Sequence, residues 1–418
     1  MKILHVIQRY WPYVGGSERY FQELSERLAA RGHEVTVYTT TAYDLEYFWQ
    51  PARKRLSPGT ERLNGVTVTR FPVRHLPLSP LTYPALRRLV GLLGRAPGGE
   101  RLALAAAAAT PFVPELALRL ATTRERYDLI HAGNIPFDAI VAWAQALARR
   151  RGIPFVMTPF THLGEADNAA VRRHYTLPHQ IALLRGCDAV FVQTALEGEF
   201  LTSLGVPRRA IRRGGVGVEP AEVLGGDRER FRRQHAVEGP LVTFLGTVAK
   251  DKGAVHLVEA MRRLWEQGLT ATLALAGPTY GDFERYWAAL PETVTRRCRL
   301  LGVTLGDAKR DLFAATDVFA MPSRTDSFGI VFLEAWTAGI APVAARAGGV
   351  AEVIEDGVTG RLVEFGDVPA LAEAIRALIA DRALAARLAA RGREKALADY
   401  TWEKVVGRVV AVYEELVG

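Results

Sequence analysis

The chain has 418 residues and a formal net charge of +8, with 49% hydrophobic and 23% charged residues. This length excludes a single core of usual size and predicts two domains of about 200 residues each, and the composition is typical of soluble globular proteins. The excess charge comes mostly from arginine, which indicates either the codon usage of a GC-rich genome or attraction to anionic lipids or acidic substrates.

Cysteine usage and hydropathy limit the location of the protein. Cys187 and Cys298 lie in different halves of the chain, which argues against a disulfide framework or a metal site. Residues 1–12 predict a strand and not a signal peptide, because their apolar run is short and leads to aromatics and glycines. The most apolar window, 102–118, contains two prolines and falls short of about 20 residues, so we expect no membrane span and a cytoplasmic location.

The chain begins with a predicted strand, residues 2–7, and a helix, residues 17–31, with Ser17 as its N-cap and Gly32 at its end. Gly15 and Gly16 precede the helix, where small residues let the backbone approach a ligand and offer N–H groups to it. A plain connection between strand and helix would look the same. The loop lacks the G-x-G-x-x-G fingerprint, which counts against an NAD enzyme.

Strands are predicted at 35–40 and 66–71, followed by a proline-rich piece, 72–123, that we expect to be irregular. Arginines alternate there with Leu, Tyr and Val: Arg74, Arg87, Arg88, Arg95 and Arg101. One interpretation is an insertion packed on the first domain, with its arginines in solvent. The other is a basic and apolar surface that docks on a membrane or holds a lipid-linked acceptor, which failure to bind anionic liposomes at low salt would rule out.

Two histidines follow predicted strands at 127–132 and 154–158. His131 lies at the end of the first strand and His162 follows the second. Ligands bind beyond the carboxyl ends of strands in parallel α/β sheets, so both are candidates, and the alternative is a core-edge histidine bonded to backbone. A strand at 187–193 and a helix at 195–204 complete this half. Gly214, Gly215 and Gly217 then predict a hinge.

The second half begins with a strand at 241–245 and a glycine-bounded loop, 246–253, that carries Lys250 and Lys252 before a helix at 254–267. Such a loop is a plausible diphosphate clamp, because lysine supplies a point charge to phosphate. Solvated surface is the other interpretation. Further strands are predicted at 273–277, 299–301, 318–321, 341–344 and 361–363.

The most informative stretch is 321–360, in which a strand, a glycine turn and a helix follow one another. Asp326 and Glu334 lie eight residues apart on either side of the turn at Phe328 and Gly329. The helix start offers unpaired N–H groups to an anionic ligand. If the segment is mostly helical, the two carboxylates lie roughly 10–12 Å apart, about the span from the sugar to the ribose of a nucleotide-diphosphate sugar. Each could accept hydrogen bonds from hydroxyls.

This stretch resembles the donor-site signature of retaining glycosyltransferases of family 4, which have the GT-B fold. Asp326 stands where the family has its first glutamate, and the other family positions match at Glu334, Gly348, Gly349 and Glu352. Residues 15–39 resemble the family's opening βαβ unit, and the end of the chain resembles its closing helix. The resemblance covers nearly the whole chain.

The resemblance implies a role for each matching position. His162, Asp326 and Lys252 would be catalytic, although the family's histidine place is Phe160 here. Thr247 replaces the family's arginine, and Lys250 is the candidate to supply that charge in its place. The implied donor-binding residues are Gly15, Gly16, Thr247, Lys252, Val303, Asp326, Phe328, Gly329, Ile330 and Glu334, of which Glu334 would hold the ribose and Val303 the base. The implied acceptor-side residues are Glu18 and His131, the latter with a structural role as its alternative.

The resemblance also implies the architecture: two Rossmann-like domains facing across a cleft, at residues 1–215 and 216–398, with a closing helix at 399–418 that returns to the first domain. The expected activity is retaining, metal-independent transfer of a sugar from a nucleotide-diphosphate sugar to a glycan, lipid-linked or small-molecule acceptor. No cofactor and no nucleic acid are expected, and peripheral contact with an anionic membrane is a further hypothesis.

Three alternatives to the transferase stay open. A phosphorylase would carry a pyridoxal lysine site, which the sequence does not show. A sugar-nucleotide epimerase or hydrolase would turn over with donor and water alone. A non-catalytic binding protein would fit the changes at Thr247 and Asp326. The donor base, the sugar, the acceptor, the linkage and the oligomeric state depend on few loop residues, so the sequence leaves them open.

Overall fold

The computed structural model describes residues 1–13, 15–165 and 171–418, and the chain forms two compact units. The first unit consists of Met1–Thr161, Arg172–Gly215 and Val405–Gly418, and the second of His162–Val171 and Val216–Lys404. Each is built on one mainly parallel sheet whose strands are connected by helices. The prediction of two Rossmann-like α/β domains is therefore confirmed.

The first unit has one sheet, with strands β1 (Lys2–Val6), β2 (Glu34–Thr40), β3 (Gly59–Leu63), β4 (Val66–Phe71), β5 (Leu129–Gly133), β6 (Phe155–Thr158), β7 (Ala189–Val192) and β8 (Ile211–Arg213). Their order is β3-β4-β2-β1-β5-β6-β7-β8, and only the β3–β4 pair is antiparallel. The central strands β5, β6 and β7 are buried along their whole length. Such burial explains their nearly continuous apolar sequences, because crossover helices cover both faces of a parallel sheet.

The helices of the first unit precede or follow these strands. They are α1 (Gly16–Ala30), α2 (Ser79–Arg95), α3 (Glu100–Ala107), α4 (Pro114–Thr122), α5 (Asp138–Arg151), α6 (Pro178–Arg185) and α7 (Ala195–Ser203). Short 3-10 helices occupy Leu45–Phe48, Arg172–His174 and Arg208–Ala210. None of the described helices of the whole chain is both long enough and apolar enough to cross a membrane.

The second unit has a six-stranded parallel sheet, with strands β9 (Leu241–Leu245), β10 (Thr272–Ala276), β11 (Cys298–Gly302), β12 (Val318–Met321), β13 (Pro342–Ala345) and β14 (Arg361–Val363) in the order β11-β10-β9-β12-β13-β14. Its helices are α8 (Arg228–Gln234), α9 (Ala254–Glu266), α10 (Gly281–Ala288), α11 (Glu292–Thr295), α12 (Gly306–Ala315), α13 (Ile330–Thr337), α14 (Val350–Val353), α15 (Val368–Ala380) and α16 (Arg382–Asp399). A 3-10 helix spans Pro220–Glu222, and the last helix is α17 (Trp402–Val417).

Each sheet has one place where the chain order reverses. In the second unit, β9 lies between β10 and β12, so the strands that follow β9 in the sequence run to both sides of it. In the first unit the reversal lies at β1, between β2 and β5. Ligands of doubly wound sheets bind beyond the carboxyl ends of the strands at such a switch point. A ligand-binding site is therefore expected at the loops after β1 and β5 in the first unit and at those after β9 and β12 in the second.

The C-terminal helix contributes to the core of the first unit. From Val405 onward α17 groups with that unit, and Val405, Val406, Val409 and Tyr413 have no exposed surface. The Tyr413 hydroxyl shares a hydrogen bond of 2.5 Å with Nδ1 of His131 on β5. The predicted return of the closing helix to the first domain is confirmed.

The structure differs from the predicted secondary structure mainly in residues 72–123. We expected this piece to be irregular, and it contains α2, α3 and α4. Two of its prolines start helices, Pro80 in α2 and Pro114 in α4, where the missing N–H would have no partner anyway. The helix predicted to start at Ser17 begins one residue earlier, with Gly15 as its N-cap. Strands β3 and β8 lie at the sheet edges and were not predicted.

The two units also have different bounds from the expected domains. Residues His162 to Glu165 group with the second unit, because the Gly348 N–H donates to the Gly164 carbonyl at 2.8 Å and Glu165 pairs with Arg324. The part of the chain that joins the first unit again begins at Val405, six residues after the expected start of the closing segment.

Candidate active site

The loop after β9 places Lys252 at the switch point of the second sheet. It ends at Gly253, the N-cap of α9, which has φ +82°. A Cβ at this position would overlap the carbonyl oxygen of Pro322 at the end of β12, so only glycine combines this backbone conformation with this close approach. β9 and β12 are neighbours in the sheet. The glycine therefore brings Lys252 against the loop that carries Asp326.

Lys252 and Asp326 form an ion pair. Lys252 Nζ lies 3.2 Å from Asp326 Oδ2 and donates to the carbonyl oxygen of Thr325 at 2.9 Å. Burial acts to raise the pKa of Asp326, but the Lys252 ammonium, a hydrogen bond with Ser323 and the nearby His162 outweigh it and hold the pKa below its usual value. Asp326 is therefore ionised at neutral pH and accepts hydrogen bonds without donating any.

His162 lies beside the same pair, so the structure brings together the three residues predicted to be catalytic. Burial and the Lys252 ammonium lower the pKa of His162 to about 4, against the opposing effect of Asp326. The imidazole is consequently neutral at pH 7, with one nitrogen that donates and one that accepts. The loop that carries it is held to the second unit by the hydrogen bond from Gly348 to Gly164.

A second ion pair involves Glu334 on α13. Lys309 Nζ of α12 donates to Glu334 Oε1 at 2.7 Å, and only 8% of Glu334 and 9% of Lys309 are exposed. Lys309 Nζ also lies 3.9 Å from Glu222 Oε2. Loss of either partner would leave an uncompensated buried charge. The ion pair with Lys309 therefore holds the Glu334 carboxylate in one orientation.

The turn between the two carboxylates offers backbone groups. Phe328 is 1% exposed and packs edge-on against Tyr400 with ring centroids 5.2 Å apart, so its side chain belongs to the core. Gly329, at φ +85°, is the N-cap of α13, which begins at Ile330. The Phe332 amide of this first turn donates to the Gly329 carbonyl at 3.0 Å, whereas the first amides of a helix have no acceptor within it. The segment from Asp326 to Gly329 is not helical and that from Ile330 to Glu334 is, so the helical rise covers only part of the predicted separation of roughly 10–12 Å.

The remaining predicted donor residues lie at loop positions of the second sheet. Thr247 is partly exposed, and hydrogen bonds from Gly246 to Ala276 and from Val248 to Pro278 hold its loop on both sides. Val303, after β11, is 62% exposed. Lys250 is exposed, and after burial its charge is the next cause that lowers the pKa of His256 on α9. Lys250 and Lys252 thus face different neighbours.

In the first unit, Gly15 is the N-cap of α1 and Gly16 is its first residue, and Glu18 lies buried in the first turn of this helix. Glu18 is 2% exposed; its Oε1 accepts from Arg9 Nε at 2.9 Å and from Gln8 Nε2 at 3.0 Å. The Arg9 guanidinium also stacks 3.6 Å from the centre of the Tyr13 ring. Glu18 was predicted to contact the acceptor, and the structure instead places it in a buried ion pair.

His131 is not available to an acceptor. It has no exposed surface, its Nδ1 bonds with Tyr413 and its Nε2 lies 2.7 Å from Thr158 Oγ1. Both ring nitrogens are therefore occupied inside the core. The acceptor-side prediction for His131 is corrected, and the structural alternative describes it.

Three cationic residues of these sites were not predicted from the sequence: Lys309, Arg324 and Arg9. Lys309 and Arg324 pair with Glu334 and Glu165, which lie 25 and 159 residues away along the chain. Arg9 pairs with Glu18. Only Arg9 left a local signal, as the first charge after a buried strand.

Comparison with known proteins covers nearly the whole chain. The family described as "Glycosyl transferase 4-like domain" matches residues 15–217, and the family "Glycosyl transferases group 1" matches residues 227–395. A D-inositol 3-phosphate glycosyltransferase of Catenulispora acidiphila is 28% identical, with 96% of this chain and 91% of that protein covered. An alpha-maltose-1-phosphate synthase of Mycobacterium tuberculosis is 33% identical over 42% of this chain and 48% of its own length.

Solved structures show the same fold. The Anabaena protein HepE, in complex with UDP and glucose, superposes with a TM-score of 0.73 at 20% identity, and all of both chains is covered. Sucrose-phosphate synthase of Thermosynechococcus elongatus superposes with a TM-score of 0.71 at 22% identity, over 100% of this chain and 99% of that one. With its 4-like domain followed by a group 1 domain, the chain belongs to the group 1, family 4-type glycosyl transferases of the GT-B fold, and it is a glycosyltransferase.

Proposed function

We propose that this glycosyltransferase moves a sugar from a nucleotide-diphosphate sugar to an acceptor with retention of configuration and without a metal ion. The observation that carries the proposal is the cluster of Lys252, Asp326 and His162 at the switch point of the second sheet. It combines a cation for phosphate, an ionised acceptor for hydroxyls and a neutral imidazole. These are the groups that recognition of a phosphorylated sugar requires.

In the proposed donor complex, each end of the nucleotide sugar has its own carboxylate. Glu334, oriented by Lys309 through Oε1, accepts from the ribose hydroxyls with Oε2. Asp326 and the backbone of Phe328, Gly329 and Ile330 bind the sugar, and His162 orients its hydroxyls. Val303, exposed after β11, packs on the base.

The diphosphate is the leaving group and carries the largest charge that develops in the reaction. Lys252 and the first-turn amides of α13 stabilise it, since preorganised charges and amides at a developing anion lower the barrier. The bond from the anomeric carbon to phosphate breaks as the acceptor oxygen bonds to that carbon on the same face. The acceptor's proton passes to the departing phosphate. This assignment of retention follows the family resemblance.

We further propose that the first unit handles the acceptor, a glycan, a lipid-linked sugar or a small molecule. The loop after β1 and the α1 start at Gly15 and Gly16 lie at the switch point of that unit. Glu18 acts there as a positioning residue, because its carboxylate accepts a hydrogen bond from the Arg9 guanidinium and fixes that side chain. Peripheral contact with an anionic membrane is also part of this proposal.

The test is thermal unfolding with UDP, GDP, ADP and dTDP, followed by the matching nucleotide sugars. UDP comes first, because HepE was solved with it. A ligand at 100 times its dissociation constant adds about 2.7 kcal/mol of stability, which a melt detects. We expect one nucleotide to raise the melting temperature, and Lys252→Ala and Glu334→Ala to abolish that rise.

Lys404→Ala is the matched control, since Lys404 lies on the exposed side of α17 and should leave the nucleotide effect unchanged. No rise with any nucleotide would contradict the donor site and favour an altered donor. Turnover of the nucleotide sugar with water alone would indicate an epimerase or hydrolase instead.

A further inference from the structure

The outer face of α2 exposes a row of large apolar side chains. Leu81, Leu89 and Leu92 on α2 are 71%, 43% and 66% exposed, Leu78 at its N-cap is 74% exposed, and Leu102 on α3 is 62% exposed. Single exposed leucines are ordinary on a protein surface, but five of them within 25 residues form a patch. We call these five residues the α2 patch.

Arginines lie within the α2 patch at helical spacing. Leu81 and Leu92 are eleven residues apart, about three turns, so they lie on the same side of the helix. Arg88 and Arg95 are two turns apart and fall beside that line, and both are exposed. An apolar stripe with arginines along it is the pattern of a helix that lies in a membrane interface.

The surroundings of α2 are positively charged. No Asp or Glu occurs between Glu61 and Glu100, and Arg101 and Arg173 are exposed nearby in the same unit. The pKa of His174 is lowered by burial and then by Arg173, Arg87 and Arg95, so these cations lie close to one another. Such a surface attracts an anionic partner and repels a cationic one.

The inner face of α2 is fixed to the first unit, so its outer leucines are held outward. Val90 packs with Ala103, Ala107 and Ala139 in a small apolar cluster. Arg87 NH1 donates to Asp138 Oδ1 at 3.0 Å, while Asp138 Oδ2 lies 2.8 Å from His179 Nε2. A helix anchored in this way presents the same face in every molecule.

Leu78 adds a second sign that the outward direction is specified. It adopts a left-handed backbone conformation, φ 53° and ψ 39°, which costs a non-glycine residue roughly 1–2 kcal/mol. No burial of its own side chain offsets this, because the side chain is 74% exposed. Strained residues of this kind concentrate at functional sites.

We propose that the α2 patch, with Arg88, Arg95 and Arg101, docks this glycosyltransferase on an anionic lipid surface. The proposal deepens the membrane contact of the proposed function and rests on it. The leucines would enter the headgroup boundary, and the arginines would contact lipid phosphates. A protein partner would have to supply an acidic and apolar groove, whereas an anionic bilayer supplies both properties everywhere.

Cosedimentation with vesicles tests the docking. The full chain is mixed at low and high ionic strength with vesicles of phosphatidylcholine alone or with phosphatidylglycerol. We expect binding only to the anionic vesicles, weakened by salt. Leu81→Ser/Leu92→Ser and Arg88→Glu/Arg95→Glu should each reduce the partition coefficient by more than about tenfold.

Two variants provide matched controls for these changes. Arg387→Glu/Arg393→Glu makes the same change in net charge at exposed positions of α16, and Leu300→Ser/Leu397→Ser makes the same chemical change in the second unit. Both should bind vesicles as the parent does. Stabilisation by whichever nucleotide raises the melting temperature of the parent, measured in all variants, separates the docking from donor binding. The α2 variants should keep this stabilisation, and Lys252→Ala should keep vesicle binding.

Three results would overturn the proposal. One is the absence of binding to anionic vesicles at low salt. Another is equal loss of binding in the control variants, which would reduce the effect to total charge. The third is a dimer in sedimentation velocity that Leu81→Ser/Leu92→Ser converts to a monomer, which would assign the α2 patch to a second copy of the chain.

Discussion

At the scale of single residues, two lysines of one loop act on different histidines. Burial and then the Lys252 ammonium lower the pKa of His162 to about 4, and burial and then the Lys250 ammonium lower the pKa of His256. The two lysines, only two residues apart in the sequence, therefore lie beside different side chains. The Arg324 guanidinium also lowers the pKa of His256, and it pairs with Glu165 at 2.8 Å.

The first prediction concerns the protonation of His162. Lys252→Met removes the nearby positive charge and leaves Asp326, so the pKa of His162 should rise above about 4. It should stay below 6.5, because burial is the larger cause of the shift. An NMR titration of the histidine ring signals measures this value.

Lys250→Met is the matched control for that titration. This substitution should leave the pKa of His162 unchanged and raise the pKa of His256. An equal response of His162 to both substitutions would show that the lysines share one neighbour, and the separation of their roles would be wrong.

The donor-site residues that the sequence predicted belong to short local patterns. Lys252 precedes a glycine that the backbone requires, and Asp326 and Glu334 frame a glycine turn. Their partners were not predictable, because Lys309 and Glu334 approach only when α12 and α13 pack together. His131 illustrates the opposite error: a polar residue at a strand end also serves the core when two hydrogen bonds satisfy it.

At the scale of elements, the packing of α16 on α13 depends on a glycine inside a helix. Trp336 of α13 is fully buried, and its Nε1 donates to the Thr359 carbonyl at 2.7 Å. A Cβ at Gly392 of α16 would overlap the indole ring. Helix propensity alone favours alanine over glycine by about 1 kcal/mol, but the close approach excludes it.

Gly392→Ala should therefore destabilise the second unit by about 1–3 kcal/mol, the usual cost of overpacking a core. Gly407→Ala in α17 makes the same change where a Cβ would meet no atom within 4 Å. It should stabilise the protein by about 0.5–1 kcal/mol. Urea unfolding should show midpoints that move in opposite directions, and a shift of the same sign for both would contradict the packing argument.

The elements that sequence patterns predicted are the buried ones. The central parallel strands carry continuous apolar runs, so their positions were found within a few residues. β3, with the sequence GTERL, is almost fully exposed at an edge and has no apolar pattern to detect. α2 was not predicted, because its prolines and its exposed leucines are also typical of an irregular segment. The helix nevertheless accommodates both.

At the scale of the whole molecule, stability depends on histidines that stay neutral inside the protein. His5 and His131 are fully buried, their rings lie 5.5 Å apart, and the Tyr413 hydroxyl contacts both. Burial lowers the pKa of His5 to about 3 and that of His131 well below 6.5. Burial lowers the pKa of His162 in the second unit as well.

Acid should therefore weaken the fold. Well above pH 6.5 these histidines are neutral in both states, so their protonation does not change stability there. Below pH 6.5 the unfolded chain binds protons that the folded chain does not, so the free energy of unfolding falls with falling pH. His5 alone accounts for about 3 kcal/mol by pH 4. Urea midpoints at pH 8, 7, 6 and 5 measure the trend, and equal midpoints at pH 7 and 5 would contradict it.

The path of the chain through the two units has a consequence for recombination. Apart from the short segment His162–Val171, the chain leaves the first unit at Gly215 and enters it again at Val405. In genetic terms the main part of the second unit, residues 216–404, is thus an insertion, so an exchange of this part between enzymes needs two crossovers. A single crossover near Gly215 would pair the β-sheet of one parent with the α17 of another. Val405, Val409 and Tyr413 would then have to fit a core with which they did not evolve.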